Sequence, residues 1–157
     1  MPGENYQIQK KQIKKKRKMA EKKGIIILVV EHNRAELVLA TNALKEHGVN
    51  PITATNLKDG KFLLERTHDI ISGALTSIHY PKSEHSNDPH YPNGLQFIES
   101  CLTKGVHVGV CSNDDQNLEG IIRVLKEKNP HYTAEVNLSH GKKDWRKSVK
   151  DLLSQKK

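Results

Sequence analysis

The chain has 157 residues, 35% of them hydrophobic but only 4% aromatic, and a formal net charge of +8. That length suits one domain, with a core resting on Ile, Leu, Val and Ala rather than on aromatic rings. No apolar run approaches the roughly 20 residues of a membrane span. The two cysteines, Cys101 and Cys111, sit in periodic apolar segments and make no disulfide framework, so a reducing cytoplasm is the expected location.

Residues 1–23 stand apart by charge. Lys10, Lys11, Lys14, Lys15, Lys16, Arg17, Lys18, Lys22 and Lys23 face only Glu21 between positions 10 and 23. The surplus of eight equals the net charge of the whole chain, so the remainder is neutral and the basicity belongs to an extension. Ile8, Ile13 and Met19 are its large aliphatic residues, too few for a continuous core-facing stripe. Crowded like charges oppose a compact helix, which predicts disorder, or a helix formed only against a partner. The lysines and Arg17 are candidate phosphate contacts, with affinity from counterion release. No aromatic residue follows Tyr6 in this stretch, so base stacking is not expected. RNA, DNA, an anionic membrane or no dedicated partner all fit such a tail.

A folded domain is expected over residues 24–157, beginning at Gly24. Residues 25–30 are six consecutive apolar residues, mostly β-branched, as in a central parallel strand covered on both faces. That run is shorter than the apolar region of a secretion signal. Glu31, His32, Asn33 and Arg34 follow at once with no small-residue cleavage site, so a leader is not expected. Asn33 is the predicted cap of a helix striped by Leu37, Ala40, Thr41 and Leu44 and ended by His47-Gly48. A second strand is predicted over 51–55. Asn56 then caps a helix with Leu57, Gly60, Leu63 and Leu64 inward, and a third strand runs over 69–78. Asn93 caps a helix carrying Leu95, Ile98, Cys101 and Leu102, closed by Gly105. A fourth strand over 106–111 leads to a helix opened by Asp114 or Asp115, with Leu118, Ile121, Ile122 and Leu125, stopping before Asn129-Pro130. Residues 132–138 alternate as an edge strand. After Gly141 a last helix buries Trp145, Val149, Leu152 and Leu153.

Five strands alternating with five helices predict an α/β doubly wound, five-stranded parallel sheet of order 2-1-3-4-5, flavodoxin-like, with right-handed crossovers. The functional crevice then lies at the carboxyl ends of strands one and three. No G-x-G-x-x-G and no P-loop occurs, which removes support for a dinucleotide or nucleoside triphosphate site.

Two strand ends are specific. Ile25-Ile26-Ile27-Leu28-Val29-Val30-Glu31-His32 and Leu75-Thr76-Ser77-Ile78-His79-Tyr80-Pro81 together resemble the receiver domain of bacterial response regulators, over roughly residues 25–153. The resemblance implies a pocket in which two acidic residues after strand one and an aspartate after strand three hold Mg²⁺ and accept a phosphoryl group. Here Glu31 keeps one acid, His32 stands in the second place, and Ser77 stands in the acceptor's place. Ser112 matches the Ser or Thr after strand four. The lysine after strand five is not in place, and Lys142 is the candidate nearest to it. A hard divalent ion needs oxygen anions, and serine cannot form an acyl phosphate. The expectation is a degenerate receiver pocket of Glu31, His32, Ser77, Ser112 and Lys142, with no cofactor and no catalysis.

The segment from His79 to Asn93 is longer than a receiver carries there. His79, His85 and His90, beside two acids, are candidate Zn²⁺ or Ni²⁺ ligands, although their spacing fits no recognised metal pattern and the Pro and Ser between them favour the reading of a solvated polar loop. The functional expectation is a non-catalytic signalling module that binds a protein partner through its crevice loops or its last helices and strand. A homodimer through the latter face is implied by the resemblance alone. The alternatives are a nucleic-acid-binding accessory protein that uses the basic tail, and a response regulator that switches without phosphorylation.

Overall fold

The computed structural model describes residues 10, 11, 13, 24–85, 92–113, 116–128, 136–139 and 143–154. Strands and helices alternate: β1 (Ile26–Val30), α1 (Arg34–Glu46), β2 (Asn50–Ala54), α2 (Leu57–Thr67), β3 (Gly73–Thr76), α3 (Gly94–Thr103), β4 (Val108–Asn113), α4 (Gln116–Lys128), β5 (Val136–Ser139) and α5 (Trp145–Ser154). The sheet is parallel throughout, with order β2-β1-β3-β4-β5. It is an α/β fold of the flavodoxin type, and consecutive strands reverse their winding direction between β1 and β3. The carboxyl ends of these two strands therefore open into one crevice.

The period-2 alternation of a strand divides the core in two. Ile26, Leu28 and Val30 of β1 face a cluster with Leu57, Leu63 and Leu64 of α2, Phe97, Ile98 and Cys101 of α3, and Leu125 of α4. Ile27 and Val29 face the other way, against Ala40, Ala43 and Leu44 of α1 and Trp145, Val149 and Leu152 of α5. Helices on both faces explain why β1 is apolar without interruption. Cys101 and Cys111 are buried free thiols.

Asn33 and Asn56 cap α1 and α2, their side chains accepting from the backbone N–H of Glu36 and Asp59 at 3.0 and 2.8 Å. Gly48 and Gly105, just past α1 and α3, have φ of 69° and 72°, the left-handed turn that suits glycine at a helix end. Three local expectations are corrected. β3 spans only Gly73–Thr76, because Ile70 and Ile71 donate back to Thr67 O at 2.9 Å and prolong the turn after α2. Asn93 is helical and makes no side-chain cap; its amide donates to Tyr80 O at 2.8 Å instead. β4 runs on through Asn113, so Ser112 lies inside a strand. The predicted cap at Asp114 or Asp115 lies outside the described residues, as do positions 131–135 of the predicted edge strand.

Of the basic extension, Lys10, Lys11 and Ile13 are described, and all three are helical. Ile13 is 8% exposed and belongs to the cluster beneath α2 and α3. Among the described residues no helix is long and apolar enough to cross a membrane.

Candidate functional site

The crevice is built around one carboxylate. β1 ends at Val30, and Glu31 stays against the sheet because its N–H donates to Ala54 O of β2 at 3.0 Å. Ser77, the residue after β3, is held against β1 by donation from its N–H to Val30 O at 3.1 Å. The side chains of Glu31 and Ser77 thereby converge, and the Ser77 hydroxyl donates to Glu31 Oε2. The same oxygen accepts the His32 N–H at 3.2 Å. Glu31 Oε1 accepts Lys143 Nζ at 2.6 Å. Glu31 is 1% exposed at its side chain and Lys143 14%, while Ser77 is fully buried.

Lys143 precedes α5, and that helix aims it. Trp145 Nε1 donates to Glu36 Oε2 of α1 at 2.6 Å, which locks the start of α5 over α1. The Lys143 ammonium lies 5.9 Å from the Trp145 ring centroid, within cation–π range. Farther along, Arg146 meets Glu46 at 3.0 Å. Sequence reading placed the candidate cation at Lys142, which lies outside the described residues; the cation on Glu31 is Lys143. A signal was available, since Trp145 had been read as buried and the cation two residues before it shares its docking.

His32 turns outward and is exposed. Its backbone N–H, and no ring atom, is what reaches Glu31. Ser112 is buried at the same sheet end, two residues past Val110, which pairs with Thr76, but the Glu31 carboxylate bonds above do not involve it. Burial pushes the neighbouring Cys111 thiol up to about 12, with Lys143 partly offsetting the effect.

Below the carboxylate, the junction from β3 to α3 is densely tied. Tyr80 is fully buried, with its hydroxyl 3.0 Å from Thr76 Oγ1. Thr76 Oγ1 already donates to Ser77 O at 2.7 Å, so the Tyr80 hydroxyl supplies the proton of their shared bond. Burial drives the Tyr80 phenol well above its ordinary range. Tyr80 also bridges Pro92, and Gly94 N–H donates to Ile78 O at 2.8 Å. A β-carbon on Gly94 would come within 2.3 Å of Ser77 O, so only glycine lets α3 start this close to the site. The first N–H groups of α2, at Leu57 and Lys58, donate to Pro81 O and Lys82 O at 3.0 and 2.8 Å. Sequence reading saw a strand end here and missed this clamp, whose visible signs were the aromatic Tyr80 and the Asn93-Gly94 pair.

Of the histidines considered as metal ligands, His79 is half-buried and His85 is exposed with its ring 3.2 Å from Glu84; His90 lies outside the described residues. Among the described residues no group of three or more His, Cys, Asp or Glu side chains is placed to hold a metal ion. Of the nine cations of the extension, Lys10 and Lys11 are described, and both are exposed.

Chemically, the site is a neutralised cluster. One carboxylate is matched by one ammonium on Oε1, and its other oxygen accepts from a hydroxyl and a backbone N–H.

No protein-family model matches the sequence, and no curated protein matches it. The fold has clear counterparts among solved structures. A response regulator receiver protein from Pseudomonas putida superposes with a TM-score of 0.60 at 18% identity, covering 85% of this chain and 98% of its own. A response regulator receiver domain protein from Clostridium thermocellum gives 0.59 at 18%, covering 84% and 96%. A receiver protein from Sinorhizobium medicae gives 0.60 at 13%, covering 86% and 98%. The chain has a receiver-like fold, and at these identities the likeness speaks for the fold alone.

Proposed function

We propose that this chain is a receiver-like signalling module whose phosphoryl-acceptor pocket is closed by its own side chains, and that it works by binding a protein partner rather than by phosphoryl transfer. One observation carries this reading: the Glu31 carboxylate is engaged by Lys143, by Ser77 and by the His32 N–H. A divalent cation on Glu31 would have to displace an ammonium from a nearly buried carboxylate, and it would find no second carboxylate from His32 or Ser77. Serine in the acceptor's place offers no acyl phosphate. The fold supports the signalling class, and the closed carboxylate supports the absence of phosphotransfer.

The test is incubation of the full chain with acetyl phosphate, or with beryllofluoride and Mg²⁺. Adduct formation is read by intact mass and the fluoride complex by fluorescence of Trp145, the chain's one tryptophan. No mass increment and no saturable Mg²⁺-dependent change are expected. Stoichiometric incorporation of phosphate would overturn the proposal.

A further inference from the structure

We infer that the outward face of α1 docks an acidic amphipathic helix of a protein partner, with Val38 and Leu39 as its apolar contacts and Arg34, Lys45 and Lys150 as the cations around them. The inference rests on the protein-partner reading above and names that partner's chemistry. Val38 and Leu39 are 55% and 54% exposed, and they are neighbours on one helix. α1 packs on the sheet through Ala40, Ala43 and Leu44, which leaves its far side free. There Arg34, Val38 and Lys45, at i, i+4 and i+11, form one line along the helix, and Ala35, Leu39 and Asn42, at i, i+4 and i+7, form the next; all six are exposed. The fold gains little from large apolar residues at these positions. Valine is a poorer helix former than Ala, Glu or Lys, and in the open no packing offsets that. Lys150 is exposed on α5, one turn beyond the Arg146 that reaches α1 at Glu46.

The chemistry selects the occupant. Both acids of α1 are engaged within the chain: Glu36 accepts Trp145 Nε1 at 2.6 Å, and Glu46 accepts Arg146 at 3.0 Å. Arg34, Lys45 and Lys150 form no ion pair among the described residues. The face is therefore apolar at its centre and positive at its rim. Two copies of it would set cations against cations. A nucleic-acid backbone would pair with the cations and leave Val38 and Leu39 in water. A helix with leucines at i, i+4 and i+7 and glutamates beside them covers the apolar pair and matches the rim.

The experiment is fluorescence anisotropy of the full chain with a labelled synthetic helix of Leu, Ala and Glu, beside the same helix carrying Lys at every Glu position. The Glu helix is expected to bind saturably, and less tightly as salt rises. The Lys helix is expected to bind about tenfold or more weakly. Val38→Ser/Leu39→Ser, at exposed positions that spare the fold, is expected to lose about tenfold, because each side chain has roughly half of its surface left to bury. Arg34→Gln/Lys45→Gln is expected to lose about fivefold and to flatten the salt dependence. Circular dichroism reports that both variants are folded. Absence of saturable binding by the Glu helix, equal binding of the two helices, or unchanged affinity in Val38→Ser/Leu39→Ser would overturn the inference. So would dimerisation of the wild type in sedimentation that the same variant abolishes, since the occupant would then be a second copy. These variants leave Glu31 and Lys143 unaltered and the acetyl phosphate test does not depend on them, so failure of the docking face and failure of the closed-pocket reading are told apart.

Discussion

Lys143→Ala is the most informative single change, because it removes the cation from a carboxylate that has nowhere to go. Glu31 is 1% exposed at its side chain, and the Lys143 ammonium sits 2.6 Å from Oε1. Removing one partner of a buried pair costs about 3–5 kcal/mol, since the other charge is left desolvated. Ser77 and the His32 N–H still solvate Oε2, and the Lys143 side is 14% exposed, so water can follow the truncated side chain. Both facts favour the lower end, about 3 kcal/mol. For a chain of this size that corresponds to a fall in Tm of roughly 6–12 °C. Lys143→Met combined with Glu31→Gln removes both charges and keeps the volumes, and should return to within about 1 kcal/mol of wild type, giving a coupling of at least about 2 kcal/mol. Urea titrations followed by circular dichroism measure the cycle of wild type, Lys143→Met, Glu31→Gln and the double variant, with Lys143→Ala beside it. Trp145 fluorescence provides a second probe, because that ring lies beside Lys143. A loss below about 1 kcal/mol for Lys143→Ala, or additive single changes, would refute the view that this pair closes the site.

Gly94→Ala should destabilise by at least about 2 kcal/mol in thermal melts, because the new methyl meets backbone at Ser77 O and at Ile78 Cα, 2.6 Å away, rather than a side chain that can move; a change within about 0.5 kcal/mol would mean that α3 shifts freely. Tyr80→Phe removes the hydroxyl proton given to Thr76 and should cost about 1 kcal/mol by urea titration while leaving the far-ultraviolet spectrum intact. The Cys111 thiol is raised in the fold from 9.0 to about 12, so between those values the unfolded chain gives up a proton that the folded chain keeps. This contribution to stability is fully present below pH 9 and declines above it by about 1.4 kcal/mol per pH unit. Cys111→Ala should flatten the alkaline limb of the stability profile, and an unchanged limb would contradict the shift. Alkylation of the native protein at pH 8 should be slow at both cysteines, since burial also raises Cys101.

Much of the fold was legible because its signals are local. The unbroken apolar run of β1 announces cover on both faces, and Asn33 and Asn56 cap the helices that follow them as their spacing implies. The inward residues of α2 and α5 follow from helical periodicity, and Leu57, Gly60, Leu63 and Leu64 are all buried, as are Trp145, Val149 and Leu152. Strand ends were less legible. The turn after α2 that shortens β3 depends on Thr67 O accepting twice, and no hydropathy pattern marks that. Asn93 looked like Asn33 and Asn56, yet Tyr80 O captured its amide.

The candidate site divides along the same line. Glu31 and Ser77 could be named from the sequence because each terminates a strand whose identity is written in its own residues, and parallel strands of this winding bring their ends together. Their partner could not be named. Lys143 lies 112 residues from Glu31 in the chain, and its placement depends on how Trp145 docks against Glu36. Ile13 shows the same limit: amid lysines it reads as part of a solvated tail, and only the packed domain offers the apolar cluster that buries it. Composition and periodicity determine which segments are strands, helices and charged extension, because those depend on neighbours a few residues away. Which cation closes the carboxylate, and that Ile13 is buried, is decided by surfaces that exist only once the sheet has folded.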